Sequence, residues 1–136
     1  MADRVRRVDY FYVEVPDQPG QGAQVLGKLK EAGVNLLSFT AFPTSGNKAQ
    51  VDLVPENPDA LTKAAKSAGL SLSPRKQALF VQGQDRIGAA AECFKKLADA
   101  KINVRAANAC CSELGYGLIL WVKPENFEAA AKCLGA

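Results

Sequence analysis

Apolar and polar residues alternate through residues 8–15 (VDYFYVEV), a run rich in aromatic and β-branched side chains. That period of two predicts a strand. The Pro-Asp-Gln-Pro-Gly stretch 16–20 breaks it. Over residues 21–32 the period changes: Val25, Leu26 and Leu29 fall on one helical face, with Lys28, Lys30 and Glu31 on the other. Gly33 is placed to stop that helix in the left-handed C′ position. Residues 34–42 and 48–54 read as strands joined by a turn at 44–47 (TSGN). Residues 58–68 read as a second helix, with Pro58 in its first turn and Asn57 as its N-cap. Gly69 ends it, and residues 70–73 form a short fourth strand.

The order then starts again. Residues 77–83 predict a strand. Residues 89–100 predict a helix with Cys93, Phe94 and Leu97 inward. Residues 102–111 and 116–123 predict strands joined by a turn around 112–115. Residues 126–134 predict a helix capped by Asn126. The sequence itself repeats. Asp17-Gln18-Pro19-Gly20 returns 68 residues later as Asp85-Arg86-Ile87-Gly88. At the same offset Leu29 meets Leu97, Ala32 meets Ala100, and Val34-Asn35-Leu36 meets Ile102-Asn103-Val104. Two copies of one unit are therefore expected, residues 1–75 and 76–136. The fold class is α+β: two ferredoxin-like βαββαβ units in tandem, each an antiparallel sheet with helices on one face. The second unit lacks most or all of its last strand. That leaves strand 77–83 as an unpaired edge, expected to meet the first unit or a second chain.

Composition narrows the chemistry. The chain has 136 residues, 48% hydrophobic and 23% charged, ordinary for a soluble globular protein. Its longest uncharged apolar runs fall far short of the roughly 20 residues that span a bilayer. No secretory signal is visible at its start. No membrane role is expected, and the localisation expected is cytoplasmic. Histidine is absent, which excludes Ser-His-Asp and Cys-His catalysis and every histidine metal ligand. No nucleophile–base pair stands out, so no enzyme activity, cofactor or metal is expected. The net charge is +3. Three arginines and one aspartate in residues 1–7 supply most of it and read as a solvated basic arm, so no nucleic-acid partner is expected. The four cysteines, Cys93, Cys110, Cys111 and Cys133, form no CxxC pair. Cys110 and Cys111 adjoin in a strand, so one thiol should be in the core and the other exposed.

A strand, then Asp-x-Pro-Gly opening a helix, then Gly-Val-Asn-Leu opening the next strand, resembles the pattern of ACT domains. Asp17, Pro19, Gly20, Gly33, Val34, Asn35 and Leu36 carry it in the first unit. Asp85, Gly88, Ile102, Asn103 and Val104 carry it in the second. The layout is similar to small stand-alone proteins of two tandem ACT domains. Two departures stand out. Where the family usually has Leu or Met two residues after the motif glycine, this chain has Gly22 and Ala90. The second copy also has Ile87 for the motif Pro and Lys101 for the helix-stop Gly.

The resemblance implies a non-catalytic regulatory protein that binds a small molecule, an amino acid, at an interface between ACT units. It also implies a homodimer and a partner enzyme of amino-acid metabolism. The implied ligand-binding residues are Asp17, Gln18, Pro19, Gly20, Gln21, Gly22, Asn35 and Leu36, with Asp85, Arg86, Gly88 and Asn103 in the second unit. Their chemistry suits the role. A glycine-rich helix start offers unpaired N–H groups and partial positive charge to a carboxylate. Asp17 can accept from an ammonium, and Asn35 both donates and accepts. The plainer alternative is that Asp17 and Asp85 cap helices and Pro19-Gly20 only turns the chain. The function would then be protein interaction without a ligand. An RNA-recognition module or an acylphosphatase-like hydrolase shares the strand order, but neither has its surface chemistry or catalytic residues here.

Overall fold

The computed structural model describes residues 2–136. The element order is β1 (Arg4–Pro16), α1 (Gln21–Glu31), β2 (Leu36–Pro43), β3 (Lys48–Pro55), α2 (Pro58–Ala68), β4 (Lys76–Gly83), α3 (Ala89–Asp99), β5 (Ala106–Ser112), β6 (Gly115–Trp121) and α4 (Phe127–Leu134). Two compact units emerge. One is Asp9–Lys76; the other joins Gln77–Ala136 to the residues up to Val8. The break between the units falls between Lys76 and Gln77, and the first residues of the chain belong with its last sixty.

In the Asp9–Lys76 unit the strand order is β2-β3-β1. The pairs are antiparallel, with Phe11 opposite Leu53, Val13 opposite Val51, and Phe39 opposite Leu53 on the other side. Alternation sends Phe11, Val13, Val51 and Leu53 to one face, where they meet Val25 and Leu29 of α1 and Leu61 and Ala64 of α2. Full burial of a leucine such as Leu53 or Leu61 contributes about 1.5–3 kcal/mol. The helix ends follow the sequence. Asn57, in extended conformation, accepts the Ala60 N–H at 3.2 Å, and Gly69 closes α2 at φ 71°. Residues 70–73 differ from expectation. They make no ladder: Ser73 donates its N–H to Tyr12 O at 2.8 Å, while its Oγ accepts the Tyr12 N–H at 2.9 Å. A side-chain oxygen takes a strand carbonyl's place there. Pro74, which has no N–H, cannot extend the pairing.

In the other unit the order is β1-β4-β6-β5, with Leu79 opposite Leu120 and Val81 opposite Leu118. These four leucines and valines pack on Cys93 and Leu97 of α3 and on Phe127, Ala130 and Ala131 of α4. This unit has no strand of its own after α4; the residues of β1 up to Val8 stand beside β4 in that position. The edge at 77–83, expected to meet the first unit or a second chain, is met by β1 of the same chain, so β4 is an inner strand. The solvated arm is corrected too. Val5 packs on the core, Arg6 lies 5.3 Å from the centre of the Phe80 ring, and Arg7 pairs with Glu128 at 2.8 Å.

Three further expectations are corrected here. Asn126 does not cap α4. A 3-10 turn, Pro124–Asn126, starts two residues earlier, and Asn126 has helical rather than extended dihedrals. Phe94 is 38% exposed, not inward. The strand expected from 102 starts only at Ala106. After α3, Ile102 donates its N–H back to Leu97 O at 2.9 Å and Lys101 to Ala98 O at 2.9 Å, a Schellman closure that uses up the first residues. The first unit does the same with Val34 to Leu29 and Gly33 to Lys30, and β2 accordingly begins at Leu36. The closing residue is Gly33 at φ 72° in one unit and Lys101 at φ 59° in the other.

Candidate functional site

The loop between β1 and α1 is held at two points. Asp17 donates its N–H to Asn47 O in the β2–β3 turn at 2.8 Å, and Gln18 donates to Pro16 O at 2.9 Å. Gly20, at φ 90°, is the N-cap of α1, and no side chain caps the helix. The first regular bond is Gln24 N–H to Gly20 O at 3.0 Å. The Gly22 and Ala23 amides therefore face the open helix end, where the helix dipole is positive. Asp17, Gln18, Pro19, Gly20 and Gly22 are exposed and Gln21 is half-buried. A methyl group on Gly20 or Gly22 would meet nothing within 4 Å. The Asp17 carboxylate makes no hydrogen bond or ion pair among the described residues, so the capping role that competed for it is not taken.

Asn35 and Leu36 lie elsewhere. They follow α1, whose eleven residues separate its ends by about 16 Å at about 1.5 Å per residue. Within this unit the loop and Asn35 are not brought together. Asn35 instead donates its Nδ2 to Glu56 Oε2 at 2.7 Å, and its carbonyl accepts the Glu56 N–H at 2.9 Å. Leu36 lines a groove of about 520 Å³ with Leu26, Lys30 and Phe39. Phe39 is 49% exposed.

The second unit's counterpart is closed by charge. Gly88, at φ 83°, again caps a helix with no side-chain bond. Asp85, Arg86 and Gly88 line a cleft of about 270 Å³ with Cys110, Cys111 and Tyr116. Arg86 donates Nη1 to Asp3 Oδ1 at 3.0 Å and Nη2 to Asp3 Oδ2 at 3.2 Å, and Nη2 also reaches Glu92 Oε2 at 2.7 Å. The buried Tyr116 donates its hydroxyl to Asp3 Oδ2 at 2.6 Å. The Arg86 guanidinium holds Asp3 and Glu92 below the ordinary carboxylate range, and the two carboxylates raise Arg86 in turn. Burial, then the bond to Asp3, pushes Tyr116 up to about 12. Asn103 is exposed beyond the far end of α3.

Asp3, Glu92 and Tyr116 were not legible as a group. Asp3 is the one acid in an arginine-rich start, and nothing in its spacing points 113 residues ahead to Tyr116. Cys110 and Cys111 are both exposed, which corrects the one-in, one-out expectation: β5 is last in the strand order and all seven of its residues are exposed. Arg105 is exposed and donates its backbone N–H to Trp121 O at 2.8 Å. Among the described residues no cluster of three or more His, Cys, Asp or Glu could hold a metal. None of their helices is long and apolar enough to cross a membrane.

No family model matches the chain, and no curated protein matches it in sequence. Solved structures do match. A protein from Bacteroides thetaiotaomicron superposes with TM-score 0.82 at 12% identity, over 96% of this chain and 88% of that one. The regulatory subunit of aspartate kinase from Thermus thermophilus, in its ligand-free form, superposes with TM-score 0.66 at 18% identity, over 98% and 94%. The regulatory subunit of aspartate kinase from Thermus flavus gives 0.57 at 21%, over 98% and 94%. The chain thus has the α+β, ACT-like fold of these regulatory subunits.

Proposed function

We propose that this chain is a non-catalytic regulatory protein that binds an amino acid at the loop Asp17, Gln18, Pro19, Gly20, Gln21 and Gly22. The observation that carries the reading is the state of that loop. It has an uncapped helix start, two glycines with open space around them and an uncommitted Asp17 carboxylate. The two open amides suit the ligand carboxylate, and Asp17 suits its ammonium. The fold shared with two aspartate-kinase regulatory subunits supports the same reading. Asn35 lies at the other end of α1, so a second copy of the chain would bring its own Asn35 and Leu36 to complete the pocket. The protein would then act as a homodimer, in the cytoplasm, on a partner enzyme of amino-acid metabolism. Binding transmits a signal in so far as it favours one packing of the copies over another.

A thermal-shift screen against the twenty amino acids, with Asp17→Ala in parallel, tests this. A ligand at 100 times its Kd stabilises by about 2.7 kcal/mol. The expected result is a shift for one or a few amino acids that Asp17→Ala loses. No shift at millimolar concentration refutes the reading. The protein-interaction alternative, with the exposed Phe39 and Phe42 of β2 as its contact, would then be pursued.

A further inference from the structure

We infer that Arg86 and Tyr116 form a carboxylate-binding site in the second unit, and that its resident ligand is the chain's own Asp3. Both carboxylate oxygens are taken. Arg86 reaches one with each terminal nitrogen, at 3.0 and 3.2 Å, and the Tyr116 hydroxyl adds a third bond of 2.6 Å. A planar fork meeting a planar carboxylate is the geometry by which arginine recognises free carboxylates. Glu92, on the first turn of α3, also accepts from Nη2 of the fork, at 2.7 Å. Gly83 forms the floor. A methyl group there would collide with Asp3 Oδ1, yet Gly83 has no left-handed dihedral to require glycine. The missing side chain makes room for the carboxylate.

The site has an entrance. Beside it lies a cavity of about 520 Å³ lined by Ala2, Glu92, Lys96 and Leu134 as well as Asp3 and Arg86. A small carboxylate can enter there, and Lys96 adds positive charge on the way in. Asp3 itself belongs to neither the loop nor the helix. It arrives on the segment running beside β4, one residue before β1 begins. It is thus a tethered ligand, favoured over free ones by its high effective concentration. Arg86 occupies the position that Gln18 holds in the first unit, so one repeat keeps an open loop and the other carries its ligand within the chain. This inference does not depend on amino-acid binding at the first loop.

Chemical rescue tests it on the full-length protein. Asp3→Ala is expected to lower Tm by several degrees. Sodium formate or acetate should restore at least half of that loss, and sodium chloride at equal ionic strength should not. Half-restoration is expected at about 10–100 mM, the range that charge-assisted bonds to one carboxylate reach. The wild type should gain no comparable stability from formate. Asp3→Ala combined with Gly83→Ala, whose new methyl fills the floor, should not be rescued. If Asp3→Ala is unfolded in buffer, formate should refold it by circular dichroism. The inference is overturned if Tm is unchanged in Asp3→Ala. It is equally overturned if formate does no more than chloride, or if the wild type and the Gly83→Ala double variant respond as strongly as Asp3→Ala.

Discussion

Lys101 closes α3 in the left-handed conformation at φ 59°, where the first repeat has Gly33 at φ 72°. The two positions make the same pair of hydrogen bonds back into their helices, so they differ in little but the side chain. An L-residue in this region costs about 1–2 kcal/mol relative to glycine. Glycine gives back about 0.4–1 kcal/mol through the freedom it adds to the unfolded chain. Lys101→Gly should therefore stabilise the protein by about 0.5–1 kcal/mol. Gly33→Ala should destabilise it by a similar amount, and by conformation alone, because its methyl would meet nothing within 4 Å. For a chain of this size each kcal/mol moves Tm by about 3 °C. Urea denaturation followed by circular dichroism reads the same change as a midpoint shift at constant slope. A lower Tm for Lys101→Gly, or an unchanged one for Gly33→Ala, refutes the reasoning.

Other perturbations follow from the same structure. Asp52 is buried on β3, and burial raises its carboxyl above the ordinary value although it accepts a bond from Gln50 at 2.8 Å. Its charge therefore costs stability at neutral pH and costs less as falling pH protonates it. Asp52→Asn should raise the urea midpoint at pH 7, with the gain vanishing below the ordinary aspartate range. Asp3 has the opposite sign. Its lowered carboxyl contributes stability that is complete above the ordinary range and lost as pH falls through its own, so Asp3→Asn should flatten the acid limb of the stability profile. Leu53→Ala, at a position with no exposed surface, should cost about 2–5 kcal/mol in urea denaturation. A thiol reagent should modify Cys110 and Cys111 quickly and Cys93 slowly, since Cys93 is buried and burial raises its thiol. Peptide mapping of the early product checks this.

Local signals in the sequence carried most of the elements. The range of α2 is as read, because Asn57, Pro58 and Gly69 each act on their own few residues. α1 and α3 end one residue short of their expected limits. Errors arose where a distant or competing bond decides. The strand expected at 102 gave way to the Schellman closure, and residues 70–73 gave way to the bonds between Ser73 and Tyr12. Asn126 ends the 3-10 turn that Pro124 begins, and in that helical conformation its side chain makes no cap bond to α4. In the candidate site the repeat marked both loops and both helix starts. It could not show that the first loop stays open while the second meets Asp3. That contact is set by which strand the chain's first residues join, and no periodicity within those residues encodes it.

The placement of that first segment bears on how the protein comes to be folded. Asp9–Lys76 holds all its strands and helices in one continuous stretch, so it can form as soon as that stretch has been synthesised. The other unit cannot. Its bordering strand is made before Asp9–Lys76 and its partner residues, from Gln77 onward, after it. Closing the contact from Asp3 to Tyr116 spans 113 positions, an entropic demand that slows folding compared with local pairings. Until then Val5 and the face it covers stay open to solvent, and to another chain's first segment. Exchange of that segment between two nascent chains is the characteristic error this arrangement invites.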